Sequence, residues 1–153
     1  MKKWTKHIVL LLLIVQCVVI FGFSAQDNKQ SSVGSVRITE KLIKRSQDKE
    51  MSMREQLDLK YGTEKVVRKT AHLLLFFVLG VLAAMSARQY LKKYPYYAAM
   101  AFCLLYAISD EIHQELVPGR AGLVSDVLID FAGSIAGIGI LLVIIKIKRR
   151  KKA

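Results

Sequence analysis

Acidic residues are scarce in the second half of this chain. The whole chain of 153 residues carries 24 Lys and Arg against 12 Asp and Glu. Five acids lie beyond Glu64, and all of them fall in one short window: Asp110, Glu111, Glu115, Asp126 and Asp130. The basic excess lies at the flanks of apolar stretches, where lipid headgroups and insertion topology favour cations. This distribution argues against a nucleic-acid partner.

Cysteine and the common catalytic motifs are also nearly absent. Cys17 and Cys103 lie inside apolar segments without metal-ligand spacing, so we expect both to be packing residues. The chain has no glycine-rich phosphate loop and no nucleophile-elbow serine motif. Its Asp, Glu and His side chains are suitable ligand types for a metal, but no spacing signature supports such a site. The sequence therefore predicts neither a cofactor nor a metal.

Long apolar runs alternate with charged blocks, which is typical of a polytopic membrane protein rather than a soluble one. The runs predict an all-α membrane protein with a single domain, in which four transmembrane helices form one bundle. Each run approaches the roughly 20 residues that a bilayer requires. The predicted transmembrane helices cover residues 8–23, 66–86, 96–114 and 123–147.

The first apolar run follows a basic N-terminus and therefore has to be compared with a cleaved signal peptide. Cleavage after Ala25 would place the bulky Phe23 where a small residue is needed. A lipoprotein signal at Cys17 does not fit either, because Gln16 precedes it. We expect an uncleaved first transmembrane helix.

Residues 24–65 form a long predicted outer loop with helical features of its own. Residues 52–55 match a capping box, in which serine and glutamate satisfy the first free amides of a helix. Gly62 can end that helix in a left-handed conformation, and Thr63 can then cap the second transmembrane helix. We expect amphipathic helices on the membrane surface, although a solvated loop fits the pattern equally well.

Basic residues determine the predicted orientation. The short loop 88–93 and the tail 146–152 are basic, whereas the loop 115–123 carries only Arg120. With four crossings, this pattern predicts that both termini are cytoplasmic in a bacterial-type plasma membrane. The long first loop is basic as well and favours the opposite orientation, but the even helix count and both tails agree with the first.

The fourth predicted helix carries a series of small residues. They are Ala132, Gly133, Ala136, Gly137 and Gly139. Small side chains allow the backbones of two membrane helices to approach closely. We therefore expect this face to pack against a neighbouring helix.

Polar residues gather at the outer ends of all four predicted helices. Arg68 and His72 lie one helical turn apart on one face, and so do Asp126 and Asp130. The whole set comprises Ser24, Gln26, Arg68, His72, Ser109, Asp110, Glu111, His113, Gln114, Arg120, Asp126 and Asp130. The inner ends offer only Lys, Arg and Tyr, so the sequence predicts one polar pocket in the outer leaflet.

The four carboxylates within the helices differ in their relation to the helix dipole. Asp126 and Asp130 lie near a helix N-terminus, which favours them, whereas Asp110 and Glu111 lie near a C-terminus, which does not. An unpaired carboxylate at membrane depth costs roughly 2.5–3.5 kcal/mol. The predicted partners are Arg68, His72, His113 and Arg120. An ion-pair network that only determines helix register fits this pattern as well as an active site does.

Four segments, in order and with the expected helix spacing, resemble the VanZ-like family. They are residues 23–26, residues 68–72, residues 110–114 with 117–120, and Asp126 ahead of residues 130–133. The resemblance covers most of the chain. Two features depart from the family pattern, because the first loop is long and Asp130 stands where Asn is common.

The resemblance implies that the polar pocket is an active site. The family's namesake is linked to low-level teicoplanin resistance, and VanZ-like proteins have been proposed to act on lipid headgroups. The implied catalytic residues are His72, Asp110, Glu111, His113, Gln114 and Asp126. The implied substrate-binding residues are Ser24, Gln26, Arg68, Arg120 and Asp130. In this scheme His72 and either Glu111 or Asp110 transfer protons, while Arg68 and Arg120 hold phosphate.

Alternative functions stay open at this stage. The first hypothesis is an enzyme that modifies or exchanges lipid headgroups or lipid-linked envelope precursors, so its partners are membrane lipids or such precursors. The second is a non-enzymatic membrane protein that binds lipid, precursor or protein through the same pocket. A proton-coupled transporter fits less well, because polar residues do not continue toward the cytoplasmic side. The substrate and the oligomeric state are not determined by the sequence.

Overall fold

The computed structural model describes residues 3–25, 53–117 and 122–151, and this part of the chain is helical, with no strand. The helices are α1 (Lys3–Ser24), α2 (Met53–Tyr90), α3 (Pro95–Glu115) and α4 (Val124–Arg150). The predicted all-α membrane fold is therefore confirmed. Pro95 occupies the first turn of α3, where its missing amide hydrogen is not needed.

Three of the described helices are long and apolar enough to cross a membrane. Their candidate spans are Thr5–Ser24, Tyr61–Tyr90 and Val124–Arg150. The remaining helix, α3, has 21 residues, but its last turns carry Asp110, Glu111 and Glu115. A crossing by α3, and with it the total of four, stays a prediction.

The helix break predicted at Gly62 and Thr63 is wrong, because α2 is a single helix of 38 residues. The helix begins at Met53, directly after the predicted capping serine, which itself lies outside the described residues. Glycine inside a helix costs about 1 kcal/mol relative to alanine. Ending the helix there would leave several backbone groups without helical partners. Residues 53–65 therefore extend α2 rather than form a separate surface helix.

The length of α2 exceeds what a bilayer needs. At 1.5 Å per residue its 38 residues extend about 57 Å, compared with a hydrocarbon core of about 30 Å. The apolar span begins only at Tyr61. The first turns of α2 therefore continue beyond the apolar span.

α2 is the central helix of the bundle, since it contacts α1, α3 and α4, and its contact with α4 is the most extensive. The buried apolar core contains Ile20, Phe76, Leu79, Ala83, Ala84, Ala99, Cys103, Ala107 and Ile138. Cys17 and Cys103 are both free thiols, and Cys103 packs in this core, as predicted. Many larger apolar side chains, such as Leu11, Val18 and Leu105, instead face outward, which is the arrangement of a lipid-facing surface.

Close packing of α4 on α2 depends on glycines whose positions only partly match the prediction. A Cβ atom at Gly133 or Gly137 would overlap the backbone of α2 at Leu73 or Phe77, so the predicted small face is confirmed there. Gly139 meets no described residue within 4 Å, and Ala132 and Ala136 are exposed, so the inclusion of these three was wrong. Residues two positions apart lie on opposite sides of a helix, so Gly139 cannot share the face of Gly137. On α2, Gly80 lies equally close to the backbone of Ser134, a contact that the sequence analysis missed.

Candidate functional site

The Asp110 carboxylate on α3 connects α3 to α1. Its Oδ2 atom accepts one hydrogen bond from Ser24 Oγ at 2.8 Å and one from Gln114 Nε2 at 2.9 Å. Asp110 is only 3% exposed and Ser24 is fully buried. Asp110 Oδ1 is buried too, and no described residue donates a hydrogen bond to it. One oxygen of this carboxylate is thus held in place by two donors, while the other accepts no hydrogen bond from the described residues.

His72 on α2 faces Asp130 on α4. His72 Nδ1 lies 4.0 Å from Asp130 Oδ2, at the outer limit of an ion pair, and the contact is ionic only when the imidazole is protonated. Both residues are buried. One turn further along α4, Ser134 Oγ donates to the Phe76 carbonyl at 3.2 Å. This second link holds α4 against α2 beside the His72–Asp130 pair.

Ser24, His72, Asp110, Gln114 and Asp130 are all buried at the same end of the bundle. They come from all four helices, and we refer to them as the polar cluster. The sequence analysis predicted each of the five as a site residue. It expected cations or imidazoles as the partners of Asp110, whereas the hydrogen bonds come from a hydroxyl and an amide.

Asp126 lies one turn before Asp130 and forms an ion pair with Lys69, with 2.6 Å between Nζ and Oδ1. The side chains are about one third and one fifth exposed, so water screens this pair in part. Lys69 was not among the predicted site residues. The parallel direction of the second and fourth predicted helices could have indicated Lys69. In parallel helices, the residue one turn before His72 lies opposite the residue one turn before Asp130.

Glu111 and His113 lie on the same helix as Asp110 but point to different neighbours. Glu111 Oε1 accepts a hydrogen bond of 2.6 Å from the backbone amide of Leu123, the residue that precedes α4. The His113 ring stacks on Phe21 of α1, with centroids 4.0 Å apart. Positions 111 and 113 lie on opposite sides of a helix, so the structure does not bring these two predicted catalytic residues together.

A narrow cleft opens beside the polar cluster. It is lined by Arg68, Lys69, His72, Gln114, Asp126, Ile129 and Asp130. The enclosed part has a volume of only about 10 Å³, roughly the space of a single water molecule. A larger ligand would therefore occupy the open mouth, where Arg68 and Lys69 provide positive charge. The predicted site residues Gln26 and Arg120 lie outside the described residues.

Three members of the polar cluster can act as metal ligands. His72, Asp110 and Asp130 each offer one nitrogen or oxygen atom, and these atoms lie within 4.8 Å of one another. The residues come from three different helices, separated in the sequence by tens of residues. No sequence spacing could have indicated this group, because the bundle alone brings the three helices together.

An apolar bundle with charged side chains buried at one end defines a membrane protein with a polar site at that end, and buried polar residues of membrane proteins are commonly functional. The chain belongs to the VanZ/LLP1 family, whose family model matches residues 8–146. The match includes every described residue of the polar cluster and confirms the resemblance found in the sequence. No curated protein and no solved structure matches the chain significantly.

Proposed function

We propose that the polar cluster is the active site of an enzyme that modifies or exchanges the headgroup of a lipid or lipid-linked envelope precursor in the outer leaflet. The observation that carries the proposal is the convergence of five buried polar side chains from four helices. This convergence lies beside a cleft that Arg68 and Lys69 line. Two cations next to a membrane-embedded acid and imidazole fit a lipid phosphate better than an uncharged ligand.

The looseness of the cluster favours function over a purely structural network. A buried charge network contributes to stability only when its geometry is good and its remaining polar atoms are satisfied. Here His72 and Asp130 stand 4.0 Å apart, and Asp110 Oδ1 accepts no hydrogen bond from the described residues. Asp110 Oδ1 can therefore accept a bond from a further ligand.

The proposed chemistry assigns separate roles to the rim and the interior of the site. Arg68 and Lys69 hold the phosphate. When the ligand binds, Lys69 leaves its ion pair with Asp126 and binds the phosphate instead. One of His72 and Asp110 takes the proton of a hydroxyl group or water as its oxygen bonds to phosphorus. The other protonates the alcohol oxygen that leaves as the original phosphorus–oxygen bond of the phosphodiester breaks. Asp110 is preferred to Glu111 as the partner of His72, because the Glu111 carboxylate is bonded to the start of α4.

Lipid mass spectrometry on membranes from expressing cells tests this function. Asp110→Asn keeps the size of the side chain and removes its charge, while Glu115→Gln makes the same change at an exposed position one turn away. With protein levels matched by immunoblot, we expect one lipid species to change with the wild type and with Glu115→Gln, but not with Asp110→Asn. Identical lipid profiles for the wild type and Asp110→Asn would refute enzymatic chemistry at the cluster.

A binding role without chemistry is the second candidate, and the hydrogen bonds that join α1, α3 and α4 through Asp110 and Glu111 favour it. Either role is compatible with a contribution to teicoplanin resistance. A lipid-linked mechanism predicts that overexpression raises the inhibitory concentration of lipoglycopeptides more than that of glycopeptides without an acyl chain. Equal shifts for the two drug classes would remove this link.

The proposed location is a bacterial-type plasma membrane, crossed several times, with both termini in the cytoplasm. The contacts of Lys69 with Asp126 and of His72 with Asp130 run in the same order along α2 and α4, so these helices are parallel, which supports the proposed entry of both from the same side. A C-terminal fusion to a reporter that is active only outside the cell should be inactive. Reporter activity would place the C-terminus, and with it the basic tail, outside.

A further inference from the structure

We propose that His72, Asp110 and Asp130 bind a divalent cation of the Zn²⁺ or Mn²⁺ type at the centre of the polar cluster. Their ligand atoms already lie within 4.8 Å of one another, and the three residues are 8%, 3% and 3% exposed. The inference goes beyond the proposed lipid chemistry, because the ion binds whether or not a lipid is present.

The geometry requires only small movements of the side chains. Ligand atoms that share a cation at bond lengths of about 2.0–2.2 Å stand roughly 3–3.5 Å apart. Separations of at most 4.8 Å therefore have to close by no more than about 1–2 Å, which rotations of the side-chain torsions provide. Because the three ligands come from α2, α3 and α4, the ion would link three helices. Its other coordination positions would face the cleft, toward Arg68 and Lys69.

The local charge balance favours a cation. Asp110 and Asp130 are two nearly inaccessible carboxylates, and the ammonium group of Lys69 is engaged by Asp126 at 2.6 Å. Like charges repel strongly where water is excluded. Glu111 adds a third buried carboxylate on the same helix as Asp110. A dication between His72 and the two aspartates offsets this negative charge where it is concentrated.

The Oδ1 atom of Asp110 is a second and independent indication of a ligand. Asp110 Oδ1 is buried and accepts no hydrogen bond within the part of the chain that the structure describes. Oδ2, in contrast, is oriented by Ser24 and Gln114. Carboxylates that ligate metals are commonly held in this way by hydrogen bonds from residues outside the coordination sphere.

The ligand types select the class of ion. Mg²⁺ and Ca²⁺ prefer all-oxygen coordination, whereas one imidazole with two carboxylates suits Zn²⁺, Mn²⁺ and similar ions. When bound, such an ion supplies positive charge that polarises a phosphate oxygen or a water molecule. His72 and Asp110 would then both be ligands, and proton transfer would pass to a carboxylate that does not contact the ion.

Metal content of the purified full-length protein tests the inference directly. The protein is isolated in detergent through a tag without histidine, loaded with Zn²⁺ or Mn²⁺, separated from free ions and measured by elemental mass spectrometry. We expect about one ion per chain in the wild type and in the Glu115→Gln control, and at least about tenfold less in Asp130→Asn, which removes a ligand. Ser24→Ala, which removes a hydrogen bond that orients Asp110, should weaken affinity by about 10- to 100-fold.

Electron paramagnetic resonance of the Mn²⁺-loaded wild type provides a test that does not depend on a variant's folding. We expect a nitrogen coupling from His72 that disappears in His72→Gln. A wild-type protein that retains no ion, or an ion without nitrogen coupling, would overturn the proposal, as would equal retention by Asp130→Asn. A wild-type protein that retains no ion but still converts lipid would overturn the metal site and leave the proposed function intact. Metal binding without lipid conversion would do the reverse.

Discussion

The two ends of this helical bundle differ in what they bury. At one end the polar cluster fills the interior, and the cleft beside it encloses about 10 Å³. At the other end, which we call the apolar end, an open cleft of about 240 Å³ is lined mainly by Leu13, Ala83, Ala99 and Phe102. The larger cleft thus has almost no polar groups, whereas the cleft beside the polar cluster encloses almost no volume. The candidate site is therefore marked by the convergence of polar side chains rather than by the size of a pocket.

Close packing of α2 and α4 explains how the bundle tolerates a charged interior. α2 and α4 approach so closely at Gly133 and Gly137 that backbone meets backbone. Close contact of this kind gains van der Waals energy along the whole helix pair. That energy offsets the cost of burying carboxylates at the polar end.

The largest effect is expected where this close contact is broken. Gly137→Val should destabilise the protein by about 3 kcal/mol, since the added side chain meets the backbone of α2, which cannot move aside. Gly139→Val adds the same atoms to a position that meets nothing within 4 Å and should change little. Thermal unfolding in detergent measures both variants. Equal effects of the two substitutions would show that helix contact at Gly137 does not support the bundle.

Two buried serines, one at each end of the bundle, should give smaller effects that are opposite in sign to each other when they are replaced by alanine. Ser134 Oγ donates to the Phe76 carbonyl near the polar cluster, so Ser134→Ala should cost about 1 kcal/mol. Ser86 Oγ is buried at the apolar end without a hydrogen-bond partner among the described residues. Ser86→Ala should therefore stabilise the protein by about 1 kcal/mol. The same unfolding experiment compares the two, and a destabilised Ser86→Ala variant would show that the apolar end also depends on a polar contact.

Much of the site was predictable because helical periodicity is strong in this chain. Apolar runs located the helices, and one-turn spacing placed His72 with Arg68 and Asp130 with Asp126. The opposite directions of successive helices then brought these residues to one end. The break at Gly62 was predicted wrongly, because a glycine permits a helix to end but does not require it.

The individual partners were not predictable for a physical reason. Which side of α3 faces α1 depends on the rotation of the helix about its axis, and a difference of two positions moves a side chain to the opposite face. This rotation stacks His113 on Phe21 and places the Glu111 carboxylate within hydrogen-bond distance of the amide of Leu123. The contact of Lys69 with Asp126 likewise depends on the parallel register of α2 and α4.

The sequence by itself determined the class of protein, the helices and the end at which the polar residues gather, because these follow from local composition and periodicity. Only the tertiary structure decided which of those residues meet. It placed His72, Asp110 and Asp130 within reach of one ion and separated Glu111 from His113. The reason is that the spacing of Gly133 and Gly137 shows that α4 has a small face, whereas the backbone that this face meets, at Leu73 and Phe77 of α2, depends on the packing of the whole bundle.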